Sequence, residues 1–324
     1  MAQRSDGAAG SIDAHAHWAP EPYVKEVERL GHRASGGPLH PLMADLLARQ
    51  AWMDSRGVGM HVLTLSGSMP WQWATHDAAD RLARIVNDAA IEAHKAFPDR
   101  FIAGVAIPMR DPAAALEELD RVAGQPGMRA VHLPTSVESR DYLFEPAYLP
   151  LLARCEELGY PLLLHPLDGV ENHYGGPERL AGPTFIYNTL GFPFESATTA
   201  TKFIISGVLD RLPKLDVVLP HSGGCFPYVA GRIEHSIAKR ASDIALERPF
   251  RDYIRRFHYD TLAYYPETLR FMIELVGSDR VVIGTDNYAK MDVDQPNALV
   301  EQLQLSAQDR ERIFRGNAAR LFRL

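Results

Sequence analysis

The chain has 324 residues, 46% of them hydrophobic, 23% charged and 9% aromatic, and its 34 basic and 41 acidic side chains leave a formal net charge of −7. That length allows two ordinary domains or one large barrel, and it buries a core without the disulfide framework that two cysteines, Cys155 and Cys225, could not build. There is no basic stripe to suit nucleic acid or an anionic membrane, no apolar run near the roughly 18–20 residues of a membrane span, and no apolar stretch of a signal peptide in residues 1–11, so the expectation is a soluble cytoplasmic protein with a short flexible tail over 1–10.

From there, short β-branched runs alternate with amphipathic helical stretches almost to the end. A first strand is predicted over 11–14, followed by a segment, 19–41, that is too long for a plain loop. Strands over 60–65 and 101–107 flank a helix over 77–97, in which Leu82, Ile85, Val86, Ala89 and Ala93 recur at helical spacing. Asp111-Pro112 then places an N-cap before a proline at the first helical position; Leu116, Leu119 and Val122 line one face, and Gly124 is set to end the helix. Strands over 130–133 and 161–165 enclose a helix over 148–158 that stops at Gly159. A second long segment, 167–195, follows. The last strands are predicted over 216–220, 258–262 and 280–285, with a helix over 267–276 ending at Gly277, and Ser306 with Asp309 opens a final helix.

Leu162-Leu163-Leu164, Val217-Val218-Leu219 and Val281-Val282-Ile283 are continuous apolar runs, as in strands covered on both faces. Eight such strands with helices between them predict a (β/α)₈ TIM-type barrel, a single domain over 11–324. Both long segments follow strand C-termini, where barrels build their active sites, and their Gly, Pro, His and aromatic content suits lids over a pocket.

The chemistry gathers at those same strand ends. The first strand closes on Ile12-Asp13-Ala14-His15-Ala16-His17, the fifth on Leu164-His165-Pro166, the sixth on Leu219-Pro220-His221 and the eighth on Gly284-Thr285-Asp286. Residues two apart on a strand share a face, so His15 and His17 can both point into the barrel mouth. An isolated His-x-His means little in a chain with 13 histidines, but histidines and an aspartate at four strand ends together predict a metal site. Imidazoles with a carboxylate suit Zn²⁺ foremost, with Mn²⁺ or Fe²⁺ as alternatives.

These motifs resemble the amidohydrolase superfamily, in its aminocarboxymuconate-semialdehyde decarboxylase branch. Asp13-Ala14-His15-Ala16-His17 matches that family's opening Asp-x-His-x-His, Leu164-His165-Pro166 its His-Pro, and Gly284-Thr285-Asp286 its Gly-Thr-Asp. The stretch from Leu212-Pro213-Lys214-Leu215 through His221-Ser222-Gly223-Gly224-Cys225-Phe226-Pro227-Tyr228 to Gly231-Arg232 is similar to its longest block. Weaker echoes lie at Met53-Asp54, Gly57-Val58, Phe97-Pro98 and Arg100-Phe101, so the likeness runs over nearly the whole chain.

The resemblance implies a distorted barrel with one divalent metal held by His15, His17, His165 and Asp286, and His221 as the unliganded acid/base beside it. It also implies that Arg232 reaches the neighbouring subunit's active site and binds a substrate carboxylate there, in a homodimer. Binuclear members carry a bridging lysine on strand four, where this chain reads Ala130-Val131-His132-Leu133-Pro134, so one metal is expected rather than two.

The departures fall on the pocket. Asn287-Tyr288-Ala289-Lys290 replaces the family's Tyr/Trp-Pro-Phe, Ser222 replaces a glycine, and neither Arg33 nor Arg49 carries the motif of a second substrate arginine. The implied activity is a metal-dependent, nonoxidative decarboxylation of a small aromatic or unsaturated carboxylic acid, with His221 or Asp286 donating the proton. The same residues would also serve a mononuclear hydrolase or hydratase acting on a lactone, amide or conjugated oxo acid.

Overall fold

Apolar runs buried on both faces need a layer on each side, and the chain supplies both by closing its strands into a ring. The computed structural model describes residues 10–34, 39–65, 69–70, 73–137, 140–166, 186–240, 243–289 and 291–324. Its strands are β1 (Ser11–Trp18), β2 (Val58–Leu65), β3 (Phe101–Ala106), β4 (Met128–Pro134), β5 (Leu162–His165), β6 (Val217–Leu219), β7 (Phe257–Asp260) and β8 (Val281–Val282). Each pairs in parallel with its successor, in sequence order. The ring closes through bridges from Asp13 to Ile283 and from Ala16 to Asn287. This is the (β/α)₈ barrel expected from the strand count.

The principal helices outside it are α1 (Glu21–Arg29), α2 (Leu46–Ser55), α3 (His76–Ala96), α4 (Pro112–Val122), α5 (Leu149–Leu158), α6 (Phe192–Ile205), α7 (Phe226–Arg240) and α8 (Pro266–Val276). Their ends follow local chemistry. The Asp111 carboxylate accepts from the Ala113 and Ala114 N–H groups at 2.9 and 3.2 Å, with Pro112 at the first helical position. Gly159 ends α5 in the left-handed conformation, φ 63°. Ser306 caps the helix Ala307–Glu311 through the Asp309 N–H at 3.1 Å.

One expectation changes. The segment 19–41 is not all loop, because α1 lies within it and buries Tyr23 and Val27. Of the segment 167–195, residues 167–185 lie outside the described residues, as does the tail expected over 1–10 except for Gly10; the remainder of 167–195 leads into α6.

The core has two layers. Ile12, Ala14, Met60, Val62, Ile102, Ala130, Leu163, Val218 and Val282 form the cluster inside the ring, closed below by Leu321 and Phe322. The larger cluster lies between strands and helices. Within the ring the alternation turns polar toward the mouth: Thr64 follows Val62, His132 follows Ala130, and His165 follows Leu163. On β1 a bulge between Asp13 and Ala16 inserts one extra residue against β2. The bulge shifts the alternation, so Ala14 below it belongs to the inner core while His15 and His17 above it join the polar mouth.

Candidate metal centre

Each metal-seeking side chain stands at a strand end with its far ring nitrogen already committed. His15 Nδ1 donates to Asp260 Oδ2 at 2.8 Å, His17 Nδ1 to the Leu65 carbonyl at 3.2 Å, and His165 Nδ1 to the Pro166 carbonyl at 2.6 Å. These acceptors fix the Nδ1–H tautomer and leave each Nε2 lone pair for the barrel mouth. There His17 Nε2 lies 3.0 Å and His15 Nε2 3.5 Å from Asp286 Oδ1. One ligand atom from each of His15, His17, His165 and Asp286 fits within 4.8 Å of the others, and all four residues are buried.

The residues present fit a divalent ion. His165 Nε2 and His15 Nε2 are buried without a hydrogen-bond partner among the described residues, a costly state for polar atoms that face one another. The charges agree. Burial alone would lower the His15 pKa, but the Asp260 hydrogen bond and the nearby Asp286 carboxylate raise it above the ordinary value. A field that would protonate an imidazole also favours a cation between its neighbours. Burial lowers His17 and pushes His165 well below the usual range, so both are neutral donors at pH 7. Burial works against the Asp286 charge, yet the His17 hydrogen bond and the surrounding imidazoles hold its carboxyl down to about 2. A cavity of about 20 Å³ adjoins the cluster, lined in part by Thr64, His132 and Asp260, with room for about one water.

His221 stands beside this set, its ring 5.3 Å from that of His15 and 5.4 Å from that of His165. It differs from the ligand histidines in one respect. Neither of its ring nitrogens has a hydrogen-bond partner among the described residues, and the side chain is only half-buried, so it can take up and release a proton. Its backbone is held in an unusual conformation: His221 and Ser222 have φ of 54° and 55°, which for L residues costs roughly 1–2 kcal/mol each. The Asp260 carboxylate offsets this by accepting both of their N–H groups, at 2.9 and 2.7 Å. Phe192 lies nearly parallel to the His221 ring, 23° off and 6.3 Å away, as an apolar wall.

The strand-end residues expected to act together are therefore brought together, and Arg232 is not among them. It is exposed on α7, with no hydrogen bond or ion pair among the described residues. Arg49 is held by structural partners. It is fully buried, donates through Nε to the Leu42 carbonyl at 2.9 Å and through Nη2 to the His17 carbonyl, and lies 5.0 Å from the centre of the Tyr288 ring. Arg49 thus fastens the end of β1 that carries the ligands.

Asp260 went unrecognised in the sequence. The strand predicted over 258–262 puts it in mid-strand, whereas the structure ends β7 at Asp260, level with the other strand-end residues.

The amidohydrolase family model matches residues 12–324. Among curated relatives, the 2-amino-3-carboxymuconate-6-semialdehyde decarboxylase of Dictyostelium discoideum is 31% identical over 265 residues, 81% of this chain and 72% of that protein. The gamma-resorcylate decarboxylase of a Rhizobium strain is 30% identical over 97% of this chain and 94% of its own. Among solved structures, a dihydroxybenzoic acid decarboxylase from Polaromonas, with bound manganese and the inhibitor 2-nitroresorcinol, superposes with a TM-score of 0.82 at 27% identity, covering 98% of each chain.

Proposed function

This chain belongs to the amidohydrolase family, and from that premise we propose that it is a metal-dependent, nonoxidative decarboxylase of a small aromatic or unsaturated carboxylic acid, of the hydroxybenzoate or aminocarboxymuconate-semialdehyde type. The observation that carries the reading is the buried set of His15, His17, His165 and Asp286, with the imidazole tautomers fixed for ligation, in a chain whose near-full-length relatives are decarboxylases. When bound, a divalent ion supplies positive charge that draws in and orients the substrate's oxygens and stabilises the electron pair released as the carboxylate departs. The donor set accepts zinc and manganese alike, and metal analysis of the purified protein decides between them.

The chain's own residues do the rest. His221, with both ring nitrogens unpartnered among the described residues, delivers the proton to the carbon that bears the carboxylate; the bond to that carboxylate then breaks, releasing CO₂ and leaving hydrogen in its place. Asp286 holds its negative charge against the cluster and is the second group within reach of that proton. Phe192 supplies a flat apolar wall parallel to the acid/base, which suits an aromatic ring.

The remaining assignment is to a homodimer in which Arg232 enters the neighbour's site and pairs with the substrate carboxylate. Its support is the exposed guanidinium on a surface where Tyr228 is 83%, Leu190 50% and Phe194 41% exposed. No described helix is long and apolar enough to cross a membrane. Both cysteines are free, which suits the reducing cytoplasm we assign to it.

Turnover in D₂O tests the reaction class. With hydroxybenzoates, other ortho-hydroxylated aromatic acids and muconate semialdehydes as substrates, the expected result is CO₂ release with deuterium on the carbon that lost it. Absence of CO₂ from all of these, with lactones, amides or conjugated oxo acids hydrolysed or hydrated instead, overturns it.

A further inference from the structure

We propose that Asp260, at the end of β7, is a positioning residue that sets His15 and His221 together, holding the first in its ligating tautomer and the second at its station beside the cluster; the inference rests on the metal-binding role given to His15. The carboxylate is 1% exposed and is ringed by N–H donors. Oδ2 accepts from His15 Nδ1 at 2.8 Å and from the His221 N–H at 2.9 Å. Oδ1 accepts from the Ser222 N–H at 2.7 Å and the Leu262 N–H at 3.1 Å, while the Ser222 hydroxyl donates to the Asp260 carbonyl at 3.0 Å. Four donors thus converge on two oxygens. One oxygen is shared between a metal ligand's ring and the backbone of the acid/base.

This geometry requires a group that only accepts. A neutral amide of the same shape carries an NH₂ at one of the two positions, and either placement fails. With NH₂ in place of Oδ2, it faces the His15 and His221 N–H groups, and His15 is driven to the tautomer whose Nε2 carries hydrogen and cannot ligate. With NH₂ in place of Oδ1, it faces the Ser222 and Leu262 N–H groups, and the left-handed turn at His221 and Ser222 loses its anchor. A carboxylate that merely filled space would be replaced by an amide with little consequence at either histidine.

The test compares wild type with Asp260→Asn, loading both with cobalt(II) and following metal affinity by competition with a chelator. The expected loss of affinity is about 10–100-fold, as for partners that orient a ligating histidine. At saturating metal, kcat falls while KM stays within about twofold, because the displaced group is the acid/base. Metal affinity and kcat both within about threefold of wild type overturn the proposal.

Should the variant not fold, the cobalt-loaded wild type decides by proton NMR. His15, His17 and His165 should each give a shifted, solvent-exchangeable ring N–H signal, and a missing His15 signal overturns the proposal. Wild type that takes up no cobalt overturns the metal reading itself, an outcome distinct from an unaffected Asp260→Asn.

Discussion

Burial alone does not single out the proposed ligand histidines. His61, His132 and His258 are as buried as His15, His17 and His165, and burial lowers all three below the ordinary imidazole range. His61 sits 3.5 Å from both Asp13 and Arg49, and His258 lies 3.4 Å from Asp216, so each is spent on a structural neighbour. The proposed ligands differ by standing at strand ends with Nδ1 tied down and Nε2 turned to a common point. Strand-end position is visible in sequence, which is why His15, His17, His165, His221 and Asp286 could be read there. Asp260 could not: its partner His15 lies 245 residues away, and the strand predicted over 258–262 puts it in mid-strand and not at an end. Replacing His15 and His17 together with Ala should abolish bound metal, measured by elemental analysis, while circular dichroism reports an intact barrel; full occupancy would remove both from the ligand set. His221→Ala should instead keep its metal and lose about 10²–10⁴-fold in kcat, the usual contribution of a general acid or base. Loss of metal in that variant would make His221 a ligand.

Turn chemistry and apolar period made the elements readable where they were strong. Asp111-Pro112 and Gly159 mark helix ends in sequence because they solve a local hydrogen-bonding problem. α1 escaped because its buried stripe is just Tyr23 and Val27, one turn apart, too short for periodicity to announce. The bulge in β1 was equally hidden, since the extra residue is defined by the register with β2 and not by its own type. Gly223-Gly224 reads in sequence as a strand-to-helix turn, and the fold adds a steric reason for Gly224. A Cβ there would lie 2.2 Å from the Pro193 carbonyl oxygen, at a φ of 60°, so the glycine lets the start of α6 abut the start of α7. Gly124 has a similar positive φ, 75°, but open space around it. The two separate strain from crowding. Gly124→Ala should lose about 1 kcal/mol in urea unfolding, whereas Gly224→Ala should lose clearly more, because backbone must shift as well. Equal losses would mean that the contact between α6 and α7 yields at no cost.

At the scale of the whole molecule the barrel was legible, because eight apolar strands and their helices leave few ways to bury both faces. What a single chain cannot display is a site completed by another. Arg232 is the residue on which this turns: a guanidinium left without an ion pair among the described residues, on a helix that also exposes most of Tyr228 and begins against the start of α6. If it serves the neighbour's pocket, each site of a dimer takes His221 from one chain and Arg232 from the other. His221→Ala and Arg232→Ala should then each be inactive alone and complement each other when mixed and allowed to exchange subunits. In a mixed two-fold dimer one site receives both defects and the other receives neither, so random exchange should restore about a quarter of wild-type activity per chain. If Arg232 worked within its own chain, every site of the mixed dimer would carry one defect, and no activity would return. Proven exchange without recovery therefore removes Arg232 from the neighbour's site, and an Arg232→Ala protein that is active alone removes it from substrate binding altogether.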